Sequence, residues 1–196
     1  HESPDVLQRV GVRLLEASRE DKGWDVFQIE YALDGPLTAV VHEEARRRYA
    51  TVFHQLWRLR RVEWGLGAAW RRGMAALHSR ISALVPSLEG ALHACTLARG
   101  RMLHLVSNLS SYLMFEVLET SWSELEERMR GARRLDDVVA AHDAYIEGIA
   151  ELALLGDGAL ELRRQLNRVL DAVIRFCGVY EVVMSDASAA AAHARA

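Results

Sequence analysis

Between Val10 and Val41 the apolar residues of this chain recur every second position, and from Glu43 onward they recur every third or fourth. That change of period constrains the fold more than any other feature. A period of two places side chains on one face of a strand, and a period of 3.6 places them on one face of a helix. From Glu43 the apolar stripe runs through Ala45, Tyr49, Val52, Leu56, Leu59, Val62, Leu66 and Trp70, with arginines between. The spacing predicts one amphipathic helix of about 30 residues, or about 45 Å at 1.5 Å per residue. Glu43 and Glu44 suit its positive N-terminus, and Gly73 is the expected stop. A second stripe follows Pro86, through Leu88, Leu92, Cys95, Met102, Val106, Leu109, Leu113 and Val117.

Three further helices are expected. Ser121-Trp122-Ser123-Glu124 has the spacing of a capping box and starts a short helix carrying Leu125 and Met129. Asp136 or Asp137 caps the next, with Val138, His142, Tyr145, Ile149 and Leu152 on its stripe. The last begins near Gly158 and carries Leu162, Leu166, Val169, Val173, Phe176, Tyr180 and Val183. Stripes of this kind do not stand alone in water, so they must pack on one another.

In the period-two region, Val10, Val12 and Leu14 alternate, and so do Phe27, Ile29, Tyr31 and Leu33 after the turn-like Glu20-Asp21-Lys22-Gly23. This predicts a small hairpin, broken by Asp34-Gly35-Pro36, with Leu37–Val41 as a third extended piece. The expected class is therefore mainly α: a bundle of long amphipathic helices with a small β-hairpin near the N-terminus. Residues 1–41 read as short strands and loops and 42–184 as the helical bundle. The alanine-rich stretch 185–196, which has no core pattern, reads as a loosely ordered tail.

Half of the residues are hydrophobic and 26% are charged, enough apolar surface for a core. The net charge of −3 argues against nucleic acid or an anionic membrane as partner. No apolar run nears the roughly 20 residues of a membrane span. The chain opens on His1 with no signal-peptide pattern, and Cys95 and Cys177 lie far apart, which fits a reducing compartment and a fragment of something longer.

Catalytic chemistry finds little footing. Gly65-Leu66-Gly67 lacks a third glycine and sits within a helical pattern, so no phosphate loop is expected. Glu116 with Glu119, and Glu89 with His93, are ordinary helix spacings without a Glu-x-x-His or HExxH motif, so no metal is expected. His142 lies on an apolar stripe beside Asp143 and reads as a histidine satisfied by a hydrogen bond. Trp57, Trp64 and Trp70 on one helix are more aromatic surface than a single stripe buries, which marks either a partner surface or cover by further chain. A helical adaptor or tethering subunit fits these residues; a metal-dependent bundle enzyme fits them less well.

The stretch Gly23 to Pro36, with its Asp-Val-Phe, alternate Tyr31 and Asp34-x-Pro36, resembles the extended segment of the gamma-tubulin complex proteins. Tyr49, Val52-Phe53, Leu56-Trp57 and Arg58 to Glu63 are similar to the family's next helix. Tyr112 to Glu119, Ser121-Trp122, Leu135-Asp136-Asp137 and Ala140-Ala141-His142 resemble the component 3 branch in particular. The resemblance covers Pro4 to Val183 and implies the C-terminal, gamma-tubulin-binding half of such a protein. It implies a non-catalytic scaffold that templates microtubule nucleation, partnered by gamma-tubulin and laterally by other complex components. No cofactor is implied, because gamma-tubulin carries the GTP. The implied location is the cytoplasm and cytoskeleton, at a microtubule organising centre such as a centrosome or spindle pole. The candidate partner surface is the hairpin and its exit: Trp24, Asp25, Phe27, Tyr31, Asp34 and Pro36.

Overall fold

The computed structural model describes residues 8–16, 23–78 and 89–193. Glu20-Asp21-Lys22, Pro86 and Leu88 lie outside them. The fold is mainly α, with a two-stranded antiparallel hairpin near the N-terminus. Strands β1 (Val10–Leu14) and β2 (Phe27–Tyr31) pair in the register Val10↔Tyr31, Val12↔Ile29, Leu14↔Phe27. The period-two pattern thus sets all six of those side chains on one sheet face. A single helical turn, α1 (Gly23–Val26), leads into β2.

Leu37–Val41 is not a third extended piece: Leu37–Val40 forms a helical turn, α2. Gly35 takes the left-handed conformation at φ +53°, which turns the chain, and Pro36 follows with helical dihedrals. The Thr38 hydroxyl then donates to the Gly35 carbonyl at 2.7 Å. Such local bonds outweigh the alternation of a five-residue run.

Helix α3 (Glu43–His78) is the long stripe. It runs past Gly73, which is not its stop. The core positions are Ala45, Val52, Leu59, Val62, Leu66 and Ala69, while Trp70 stands half exposed. Helix α4 (Glu89–Ser111) passes through a π-helical segment (Tyr112–Glu119) into α5 (Thr120–Gly131). Ser121 therefore caps nothing. It is buried mid-helix, and its neighbours spend their hydroxyls on carbonyls, Thr120 on Phe115 at 3.2 Å and Ser123 on Glu119 at 3.1 Å. A capping box is a local pattern, and here the continuing hydrophobic stripe overrides it.

Helix α6 (Leu135–Leu152) has Arg134, not an aspartate, at its N-cap position. Asp137 stands three residues on, and its carboxylate accepts the amides of Arg133 and Arg134 at 3.1 and 3.0 Å. Those bonds hold its pKa below the ordinary carboxylate value. The helix closes as a Schellman motif: Leu155 donates to the Ala150 carbonyl and Leu154 to that of Glu151, with Leu154 at φ +63°. A 3₁₀ turn (Asp157–Ala159) precedes α7 (Leu160–His193). Residues 185–193 are helical rather than loosely ordered, and Ala187 and Ala191 are buried. Alanine's small side chain carries little periodic signal but fits a close helix contact.

The chain forms two compact units, His1–Arg58 with Tyr112–Arg163, and Leu59–Ser111 with Arg164–Ala196. The first buries Val52, Leu113, Val117, Leu125, Ile146 and Ile149, and there the π-helical segment and α5 pack with α6. The second buries Leu66, Val106, Leu170 and Val173, with a cluster of Ala69, Tyr180, Met184, Ala187 and Ala191. In that unit Arg72 pairs with Glu181, and the Tyr180 hydroxyl sits 2.8 Å from where a side chain on Gly73 would begin.

Candidate partner-binding surface

The hairpin is held to the long helix by rings. Phe27 stacks on Trp57 of α3 with centroids 4.6 Å apart, and Trp24 lies 4.9 Å from the same indole. Phe53, one turn earlier on α3, extends the cluster at 5.8 Å from Trp57 and 6.2 Å from Phe27. The Trp57 indole N–H donates to the Trp24 carbonyl at 3.1 Å, which ties the α1 backbone to the helix. Trp24 and Phe27 are therefore half-buried anchors rather than free surface.

What the anchors leave outward is apolar. Val10, Val12, Leu14, Ile29 and Tyr31 share one sheet face with Phe27, and beyond the Phe27 contact with α3 that face is open, Val12 and Leu14 being 65% and 70% exposed. The opposite face is charged, with Arg13 on Glu30 at 2.9 Å. At the open end Arg9 pairs with Asp34 at 3.1 Å. Asp25 is exposed beside the anchor, and Pro36 is exposed where α2 begins. A polar hollow of about 460 Å³ lies alongside, lined by Arg9, Glu30, Tyr31, His42, Glu43 and Arg46.

The six expected residues thus divide. Tyr31, Asp25, Asp34 and Pro36 face solvent, while Trp24 and Phe27 pack inward. Sequence reasoning missed the outward side chains Val10, Val12, Leu14 and Ile29 as surface, although their alternation with Arg13 and Glu30 carried the signal. It also missed that Phe53 and Trp57 are the receptors for Trp24 and Phe27.

Below the hollow a polar cluster joins the start of α3 to α6. His42 Nδ1 accepts the Ala45 amide at 3.2 Å, so His42 is the N-cap of the 36-residue helix. Its Nε2 meets Asp143 Oδ1 at 2.9 Å. His142, 6% exposed, finds the Tyr49 hydroxyl at 2.9 Å, the kind of partner its place on an apolar stripe calls for. Burial pushes the Tyr49 pKa up to about 12, and burial also lowers that of His142 against the opposing pull of Asp143.

Among the described residues no three His, Cys, Asp or Glu side chains converge as metal ligands. No described helix is long and apolar enough to cross a membrane. Cys95 and Cys177 are half-buried free thiols, and burial raises the Cys177 pKa.

Residues 1–195 match the sequence family described as gamma tubulin complex component, C-terminal. The chain is 38% identical to the gamma-tubulin complex component 3 homolog of Xenopus laevis over 175 residues, 89% of this chain and 19% of that protein. It is 35% identical to human gamma-tubulin complex component 3 over 182 residues, 93% of this chain and 20% of that protein. A spindle pole body component of Schizosaccharomyces pombe is 34% identical over 189 residues, 93% of this chain and 22% of its own. The chain thus spans about a fifth of the length of the curated relatives it matches.

Proposed function

This chain belongs to the gamma tubulin complex component family, and from that premise we propose that it binds gamma-tubulin as a non-catalytic scaffold for microtubule nucleation. Holding gamma-tubulin in a fixed orientation lowers the entropic cost of the first tubulin–tubulin contacts, because association then draws on pre-organised partners. The observation that supports a binding role is the exposed apolar sheet face of Val10, Val12, Leu14, Ile29 and Tyr31. An apolar face on an otherwise charged hairpin, flanked by the Arg9–Asp34 pair at its open end and by exposed Asp25, has the make-up of a protein interface with a polar rim. In this reading Trp24 and Phe27 position the face through Trp57 and do not themselves touch the partner.

The same reading places the protein at a microtubule organising centre, in a complex with further components that contact it laterally. The names of its relatives, which include spindle pole body components, support that placement. The division between anchor and surface changes the informative variant. Phe27→Asp would disturb the anchor, whereas Val12→Asp and Ile29→Asp alter only exposed side chains. The test is size-exclusion binding of the 196-residue chain to purified gamma-tubulin, with circular dichroism confirming each variant's fold. The wild-type chain is expected to co-elute, and folded Val12→Asp/Ile29→Asp to lose most of the complex. Full binding by the folded double variant removes the hairpin face from the interface, and no binding by the folded wild-type chain overturns the proposal for this part of the protein.

A further inference from the structure

Asp143 Oδ1 lies 2.9 Å from His42 Nε2 and 3.9 Å from His142 Nδ1, so one carboxylate oxygen sits between two imidazoles. The hydrogens on those rings follow from what lies on their far sides. His42 Nδ1 accepts the Ala45 amide, and an accepting ring nitrogen carries no hydrogen, so neutral His42 bears its proton on Nε2 and donates to Asp143. His142 Nε2 faces the Tyr49 hydroxyl, a neutral O–H that is able to donate to it. His142 Nδ1 has no hydrogen-bond partner, although it is buried. A lone pair there would face a carboxylate at close range, while an N–H is attracted to it.

The geometry assigns the two histidines to opposite tautomers, both N–H groups turned to Asp143, and makes the joint between the start of α3 and α6 proton-sensitive. Three of the four ring nitrogens are then hydrogen-bonded, and the fourth, His142 Nδ1, turns its N–H toward Asp143 at 3.9 Å. A further proton on His42 displaces the Ala45 amide and uncaps a 36-residue helix. A further proton on His142 makes Nε2 a donor, so the Tyr49 hydroxyl must turn to accept it, and puts a charge in a buried site. Either event loosens the same corner, which carries the hairpin's exit through Leu33 and α2.

The surrounding charges set the direction. His142 faces Tyr49 from α3 and Asp143 from its own helix, with His42 acting against its protonation. His42 faces Asp143 from α6, and it shares the hollow with Glu43 and Arg46 of α3 and with Arg9, Glu30 and Tyr31 of the hairpin region. For His142 burial is the largest influence and lowers its proton affinity in the fold. A base depressed in the folded state is neutral there while the unfolded chain protonates. The His142 contribution is therefore complete above the ordinary histidine value of about 6.5 and is lost as pH falls below it.

Long-range proton–nitrogen correlation spectra of the whole chain at pH 7.5 read the tautomers directly, and hydrogen exchange of the Ala45 amide, corrected for intrinsic rate, reads the cap. His42 is expected as the Nε2–H form and His142 as the Nδ1–H form. Ala45 protection should fall by roughly fivefold, the size of an ordinary N-cap contribution, once the pH is low enough to put a second proton on His42. His42→Asn supplies a good cap that does not titrate, so it should flatten that dependence. Like tautomers in the two rings, pH-independent protection in the wild-type chain, or an unchanged pH dependence in folded His42→Asn would each overturn the assignment.

Discussion

Trp57→Leu tests whether the hairpin stands on the helix through the ring cluster. The substitution removes one indole N–H bond to the Trp24 carbonyl, which contributes about 1 kcal/mol net. It also removes the stacked pair with Phe27 and the tilted pair with Trp24, each contributing about 0.5–1.5 kcal/mol beyond area. Leucine keeps part of the apolar contact, and Trp57 is only half buried, so the lower end of that sum applies: about 2 kcal/mol. The loss is local, because the cluster touches β2, α1 and α3 and none of the α5–α6 core around Leu125, Ile146 and Ile149. Hydrogen exchange resolves local from global opening. Amides of Val10–Leu14 and Phe27–Tyr31 should lose protection by about 25-fold, about 2 kcal/mol at 1.4 kcal/mol per tenfold, with α5 and α6 unchanged. A loss in the hairpin below about threefold, or an equal loss in α5 and α6, would refute the anchor.

Three further outcomes follow from single contacts. Leu154 holds a left-handed φ of +63° without being glycine, a cost of about 1–2 kcal/mol, so Leu154→Gly should raise the urea midpoint by about 1 kcal/mol of stability; a fall in the midpoint would show that its half-buried side chain matters more. Gly73→Ala improves helix propensity by about 1 kcal/mol but brings a methyl within 2.8 Å of the Tyr180 hydroxyl. It should destabilise the wild-type chain and stabilise a Tyr180→Phe background, and the same sign in both backgrounds would be inconsistent with the contact. Asp137 has a depressed folded pKa through the Arg133 and Arg134 amides, so its stabilisation of the α6 start is complete above the ordinary carboxylate value and lost as pH falls through the folded one. Exchange of the Arg134 amide, followed from pH 5 to 2, should show that loss in the wild-type chain and not in Asp137→Asn.

The exposed faces of this chain bear on its role as much as the cores do. Leu97, Leu103 and Leu105 on α4, Phe115 in the π-helical segment, and Val179 and Val182 on α7 all meet solvent. The apolar hairpin face differs from them in being set on a sheet with a charged reverse side.

The sequence alone determined the class of every main element. Period two over Val10–Leu14 and Phe27–Tyr31 specified a hairpin, and period 3.6 from Glu43 specified the long helices, because both periods are properties of local backbone geometry. The order of motifs from Trp24 to His142 was also enough to identify the family. What sequence could not determine is which side of each element is covered. Trp24 and Tyr31 are both hairpin aromatics, yet one is an anchor and the other is surface, because Trp57 lies opposite one and solvent opposite the other. Ser121 matched a cap, but the helix before it continued. Ala187 and Ala191 looked like tail until helices from earlier in the chain packed on them. His142 found Tyr49 across 93 positions, and Asp143 found His42 across 101. Burial and polar pairing depend on neighbours far along the chain, and only the tertiary structure brings those neighbours together.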